Sequence, residues 1–116
     1  MLKIYYGNYK NAISDFEAKS YVKTIIDLYK NKFPDMMDSY ISNEVVLNEF
    51  VLSVMKGEIS ENEVEFYYKN KKLNFDSYLG LEEPEDDKMF GIHANTVNEI
   101  IEIGYKKMKA RNSKLK

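Results

Sequence analysis

The densest group of side chains able to do chemistry is an acidic run, Glu82, Glu83, Glu85, Asp86 and Asp87, broken by Pro84. Closely spaced carboxylates can hold a divalent cation, or can imitate a row of phosphates and so occupy a basic nucleic-acid channel on another protein. The run lacks the spaced ligands and central glycine of a calcium loop, so no metal site is expected there. A solvated surface loop is the plain alternative.

His93 is the sole histidine. A general base needs an orienting partner and a nucleophile, and no serine near His93 falls in a catalytic pattern. Asp15-Phe16-Glu17-Ala18-Lys19 has the residue types of a metal nuclease, but it falls on an expected helix rather than on paired strands. Cysteine is absent, which removes thiolate chemistry and zinc-cysteine sites. The five glycines form no phosphate-cradling loop. The expectation is a protein that is not an enzyme, with no catalytic residue, no metal and no cofactor.

Binding is the chemistry left. Ten tyrosines stand beside six phenylalanines and no tryptophan. The pairs Tyr5-Tyr6 and Tyr67-Tyr68 fall on alternating segments, so each places one ring on either side of a strand. If the outward members, Tyr5 and Tyr67, cluster, they make good interface anchors, because tyrosine offers large contact area at low entropic cost. Cover by a helix is the competing expectation. A second binding candidate is basic: Lys106, Lys107, Lys109 and Arg111, continuing through Lys114 and Lys116, could grip phosphates. Lysines also suit a helix C-terminus for its dipole, and a net charge of −2 with a single arginine counts against a nucleic-acid partner.

The elements that would position these groups follow from periodicity. Leu2, Ile4 and Tyr6 alternate with Lys3 and Tyr5, which predicts a strand over residues 2 to 6. Ser14 and Glu17 have capping-box spacing, and Val22, Ile25, Ile26, Tyr29 and Phe33 share a helical face that Pro34 ends, which predicts a helix from Ser14 to Lys32. Residues 35 to 41 are ambiguous, with a short helical turn as one reading. A second helix starts near Ser42 or Asn43 and ends at Gly57. It has more apolar surface than one stripe needs, so it is either central or in contact with a partner.

Residues 64 to 68 and 72 to 76 alternate as two strands. A turn at Asn70-Lys71 would pair Tyr68 with Leu73 and Phe66 with Phe75. Residues 80 to 88 read as an exposed loop, and a short strand near Lys88 to Ile92 could follow. Thr96 and Glu99 form another capping box, ahead of a stripe of Val97, Ile100, Ile101, Gly104 and Met108. Gly104 in that stripe is tolerated best where another backbone packs closely.

The chain is 116 residues, 44% apolar and 31% charged, which suits one folded domain, expected over 1–111 with a basic tail at 112–116. The fold class expected is α+β: three helices on a small, mainly antiparallel sheet of three to four strands. The absence of cysteine, of a signal-like start and of any long apolar run points to a cytoplasmic protein with no membrane partner.

The opening Met1-Leu2-Lys3-Ile4-Tyr5-Tyr6-Gly7-Asn8 with Ala12-Ile13, and Glu102-Ile103-Gly104 followed by Lys106-Lys107, resemble the first strand and last helix of a family of small, functionally uncharacterised bacterial proteins. The resemblance implies a small α+β domain and carries over no activity. That family's central glycine, proline and cysteine features are missing from this chain.

The function expected is a non-enzymatic, macromolecule-binding protein whose partner is another protein. In its most concrete form it is a phage or mobile-element inhibitor of a bacterial defence nuclease, of the anti-CRISPR kind, docking on its target or mimicking phosphate with the acidic run. Two alternatives stand beside it: an accessory or homo-oligomeric subunit that covers the surplus apolar surface of the second helix, and a small nucleic-acid-binding regulator using the basic last helix.

Overall fold

The computed structural model describes residues 1–10, 13–76, 80–81 and 94–114, with backbone alone at 94–99 and 112–114. The first strand, β1 (Leu2–Tyr6), turns Leu2 and Ile4 inward, where both are fully buried. The chain leaves it and enters α1 (Ala18–Lys32), which buries Ala18, Val22, Ile26 and Tyr29 along one face. Ser14 does precede a helical turn, but it caps a short 3-10 turn, Asp15–Glu17, without a side-chain hydrogen bond. The capping box expected there does not form, and α1 starts at Ala18.

After Pro34 the chain forms β2 (Met37–Ile41), where a helical turn was one expectation. Its register places Ser39 and Ile41 inward and Asp38 and Tyr40 outward. Buried Ser39 is satisfied by Tyr21 of α1, whose hydroxyl lies 3.0 Å from the Ser39 hydroxyl. Asn43 then caps α2 (Glu44–Met55), its side-chain oxygen accepting from the Val45 N–H at 2.8 Å. The helix ends in a Schellman motif: the Gly57 N–H donates to Val54 at 3.0 Å and the Glu58 N–H to Ser53 at 2.9 Å. Gly57 makes the motif possible by taking a φ of +79°, which side chains disfavour.

Every residue from Val46 to Met55 is buried. The helix is central: both α1 and α3 (Ala94–Lys114) pack against it. Its surplus apolar surface is therefore used inside the protomer and is not an outer interface. The helix α3 starts at Ala94, which puts Thr96 inside its first turn rather than at its cap.

Two strands, β3 (Val64–Tyr68) and β4 (Lys71–Leu73), make the hairpin that alternation predicted. Its turn is Lys69-Asn70, both with positive φ, as a type I′ hairpin turn requires. Phe66 accordingly pairs with Leu73 and Tyr68 with Lys71, two positions from the expected register. A shift of two leaves every side chain on its expected face. Phe75 is released to begin β5 (Phe75–Asp76), which pairs with β6 (Gly80–Leu81) in a separate two-stranded sheet. Gly80 and Leu81 are thus buried strand residues and not the start of an exposed loop.

The main sheet has the order β2-β1-β3-β4, and β1 runs parallel to both its neighbours. Only the β3-β4 hairpin is antiparallel, so the expected mainly antiparallel sheet is corrected to a mostly parallel one. The cause is connectivity. A helix intervenes between β1 and β2 and again between β2 and β3, and each crossover returns the chain in its original direction.

Candidate functional site

The described helices leave one face of the main sheet open, and that face gathers the strongest chemistry among the described residues. Period-two alternation aims Lys3 and Tyr5 of β1, Asp38 and Tyr40 of β2, Glu65 and Tyr67 of β3 and Lys72 of β4 to this side. The parallel register sorts them into two rows. Tyr40, Tyr5, Tyr67 and Lys72 stand level with one another; beside them run Asp38, Lys3 and Glu65.

Strand spacing of about 4.8 Å falls within the centroid separation of offset-stacked rings, so level tyrosines on adjacent strands can lie face to face. The Tyr5 ring sits 4.8 Å from Tyr40 and 5.0 Å from Tyr67, tilted by only 13° and 17°. Tyr9 closes one end by meeting Tyr40 edge-on at 5.2 Å. Both faces of the Tyr5 ring are thereby used, and what the stack offers outward is ring edges and hydroxyls. Tyr40 is 48% exposed at the rim.

The charged row is tied into the same surface. Lys72 donates to Glu65 at 2.7 Å across the hairpin. The Lys72 contact holds the Glu65 carboxyl below its ordinary range, helped by Lys3 and by a hydrogen bond from Tyr67, against the opposing effect of partial burial. Partial burial in the stack, with the Asp38 carboxylate next in importance, pushes the Tyr5 phenol above its ordinary value of 10.0.

Of the residues expected to bind a partner, Tyr5 and Tyr67 come together in this stack. Tyr40 was missed, because its segment did not read as a strand; alternation of Asp38 and Tyr40 with Ser39 and Ile41 was the available signal. The acidic residues Glu82, Glu83, Glu85, Asp86 and Asp87 lie outside the described residues, as do His93 and residues 88–92.

The basic candidates on α3 do not converge. At 100° per residue, Lys106 and Lys109 lie on one side of the helix and Lys107 and Arg111 on another. Lys106 also pairs with Glu102 at 3.2 Å. On α3, Ile100 and Gly104 face inward, whereas Ile101, Tyr105 and Met108 form an exposed apolar stripe, which splits the single stripe expected.

A groove of about 500 Å³ runs between α1 and α2. Its lysines Lys19, Lys23, Lys30 and Lys56 stand among Asp27, Glu49 and Glu58, and Lys30 donates to the Glu58 carbonyl, so it presents no single sign of charge to a ligand. Among the described residues no group of three potential ligands could hold a metal ion, and no helix is long and apolar enough to cross a membrane.

No protein-family model matches the chain, and no curated protein or solved structure matches it either.

Proposed function

We propose that this protein is a docking module without catalytic chemistry of its own, which binds another protein surface through the open face of its main sheet. The observation that carries the reading is the tyrosine stack of Tyr40, Tyr5 and Tyr67 on a face that no described helix covers. Tyrosines held against one another have lost their rotamer freedom before binding, so little entropy remains to be lost when a partner arrives.

The chemistry of the face favours protein over nucleic acid. Base stacking needs free ring faces, and here Tyr5 has none, while Lys3 and Lys72 are balanced by Asp38 and Glu65. Inhibition of a nucleic-acid enzyme is the narrower form of the proposal. It draws on the acidic run at 82–87, whereas the sheet face has geometry behind it.

Capture experiments with the tagged protein and its Tyr5→Ser/Tyr67→Ser variant test the reading. The expected result is a protein partner that survives nuclease treatment and is lost from the variant. Partners retained in full by a folded variant would refute it.

A further inference from the structure

Resting on the reading of the sheet face as a protein-docking surface, we infer that its partner is a second copy of this chain, joined face to face about a two-fold axis that runs nearly parallel to the strands between β1 and β3.

The strand order makes the face self-complementary. Rotation about that axis lays β3 of the copy over β1 and β4 of the copy over β2, and it keeps each row level with itself. Lys3 then meets Glu65 of the other copy, and Glu65 meets the other Lys3. In the second row Tyr5 meets Tyr67, and the Tyr40 hydroxyl meets the Lys72 ammonium, which can donate a hydrogen bond to it. An axis over β1 would instead place Asp38 against Glu65, acid on acid. An axis between β2 and β1 would match Lys3 with Asp38 but overlap only those two strands; the axis between β1 and β3 matches opposite charges while overlapping all four.

Sheets that pack face to face cross at about 30°, so the axis bisects the two strand directions at about 15° to each, and they interdigitate their side chains about 10 Å apart, a spacing that tyrosines fill. The footprint is modest: three strands of five residues and β4 of three, about 4.8 Å apart at about 3.3 Å rise per residue, cover roughly 300 Å². Standard stable interfaces bury about 800 Å² of accessible surface on each side, so this dimer belongs in the micromolar range, not the nanomolar. The shared surface has no net charge to oppose association, since Lys3 and Lys72 offset Asp38 and Glu65.

Sedimentation equilibrium on the full chain between about 1 and 300 μM, a range set to bracket a micromolar dissociation constant, tests the inference together with Lys3→Glu and Glu65→Lys. The wild type should double in mass across that range. Each variant alone should associate at least about tenfold more weakly, because like charges face one another twice across the two-fold axis. A mixture of the two variants should recover the dimer, since every acid of the Lys3→Glu copy then faces a lysine of the Glu65→Lys copy at both contacts; recovery also shows that both variants are folded. A wild type that stays monomeric throughout overturns the inference. So does dimerisation unchanged in both single variants, which would move the interface elsewhere, such as the stripe of Ile101, Tyr105 and Met108. A monomer that still captures a different protein through Tyr5 and Tyr67 would overturn self-pairing and leave the docking reading standing.

Discussion

Asn48 offers the sharpest test of the core. It lies on α2 with no exposure, and neither its amide nitrogen nor its amide oxygen has a hydrogen-bond partner among the described residues. A buried amide left unsatisfied costs about 1–3 kcal/mol on protein mutational scales. Leucine has the same number of side-chain heavy atoms, branches at the same carbon and has no polar group to satisfy. Its higher helix propensity adds a few tenths of a kcal/mol, and imperfect shape gives back up to about 1 kcal/mol. Asn48→Leu should therefore stabilise the fold by about 1–2 kcal/mol, a net of those opposing effects. In a domain of this size that raises Tm by roughly 4–10 °C. Urea denaturation followed by circular dichroism measures it, with an unchanged m-value showing that the compactness of both states is preserved. Asn48→Asp is the converse: an unpaired buried charge should cost several kcal/mol. A loss of about 1 kcal/mol or more in Asn48→Leu would refute the reasoning, because it would mean that the amide is satisfied and holds the helices in place.

Three other outcomes follow from features already described. Gly80 has a φ of +86°, and a Cβ there would stand 3.3 Å from Val51, so Gly80→Ala should destabilise the fold by about 1–3 kcal/mol in the same denaturation assay. Because Lys72 holds the folded Glu65 below its ordinary value of 4.5, the stability from this pair is present above pH 4.5 and is lost as pH falls through the lower folded value. Lys72 is 60% exposed, so solvent screening keeps the effect small, and Glu65→Gln should remove that part of the acid limb of the stability profile. The Tyr5 phenol, raised above 10.0, should titrate later than an exposed tyrosine when followed by ring resonances in NMR. Stability linked to it is present below pH 10.0 and is lost as pH rises through the folded value. Asp38→Asn should lower that titration only in part, since partial burial is the larger cause.

The helices were legible because α1 has a clean apolar stripe and α2 carries its own stop at Gly57. The hairpin was legible as a pair of faces, though its register was set by a turn at Lys69-Asn70 that residue preference disguised. β2 was the costly omission. Its central inward residue is Ser39, a polar side chain that satisfies itself on Tyr21 of a distant helix, and no local pattern records such a contact. Without β2 the chain looked like one strand followed by a hairpin, so the parallel sense of the sheet and the third tyrosine of the stack were both hidden. Tyr5 and Tyr67 were legible as outward rings, but their meeting depends on β1 and β3 being neighbours, which is a property of the topology. The surplus apolar surface of α2 carried a real signal, and burial against two other helices, rather than an outside partner, was its cause.

The place of β1 in the strand order bears on how the chain is made. β1 is synthesised before both strands it pairs with, and one of them, β3, ends only at Tyr68. During synthesis at about 5–20 residues per second, the edge of β1 that pairs with β3 waits several seconds with its backbone N–H and C=O groups unpaired. Leu2, Ile4 and the tyrosines beside them form a short, sticky segment during that interval. Until Tyr68 emerges that edge is open to wrong pairing, and slow codons ahead of that point would lengthen the exposure.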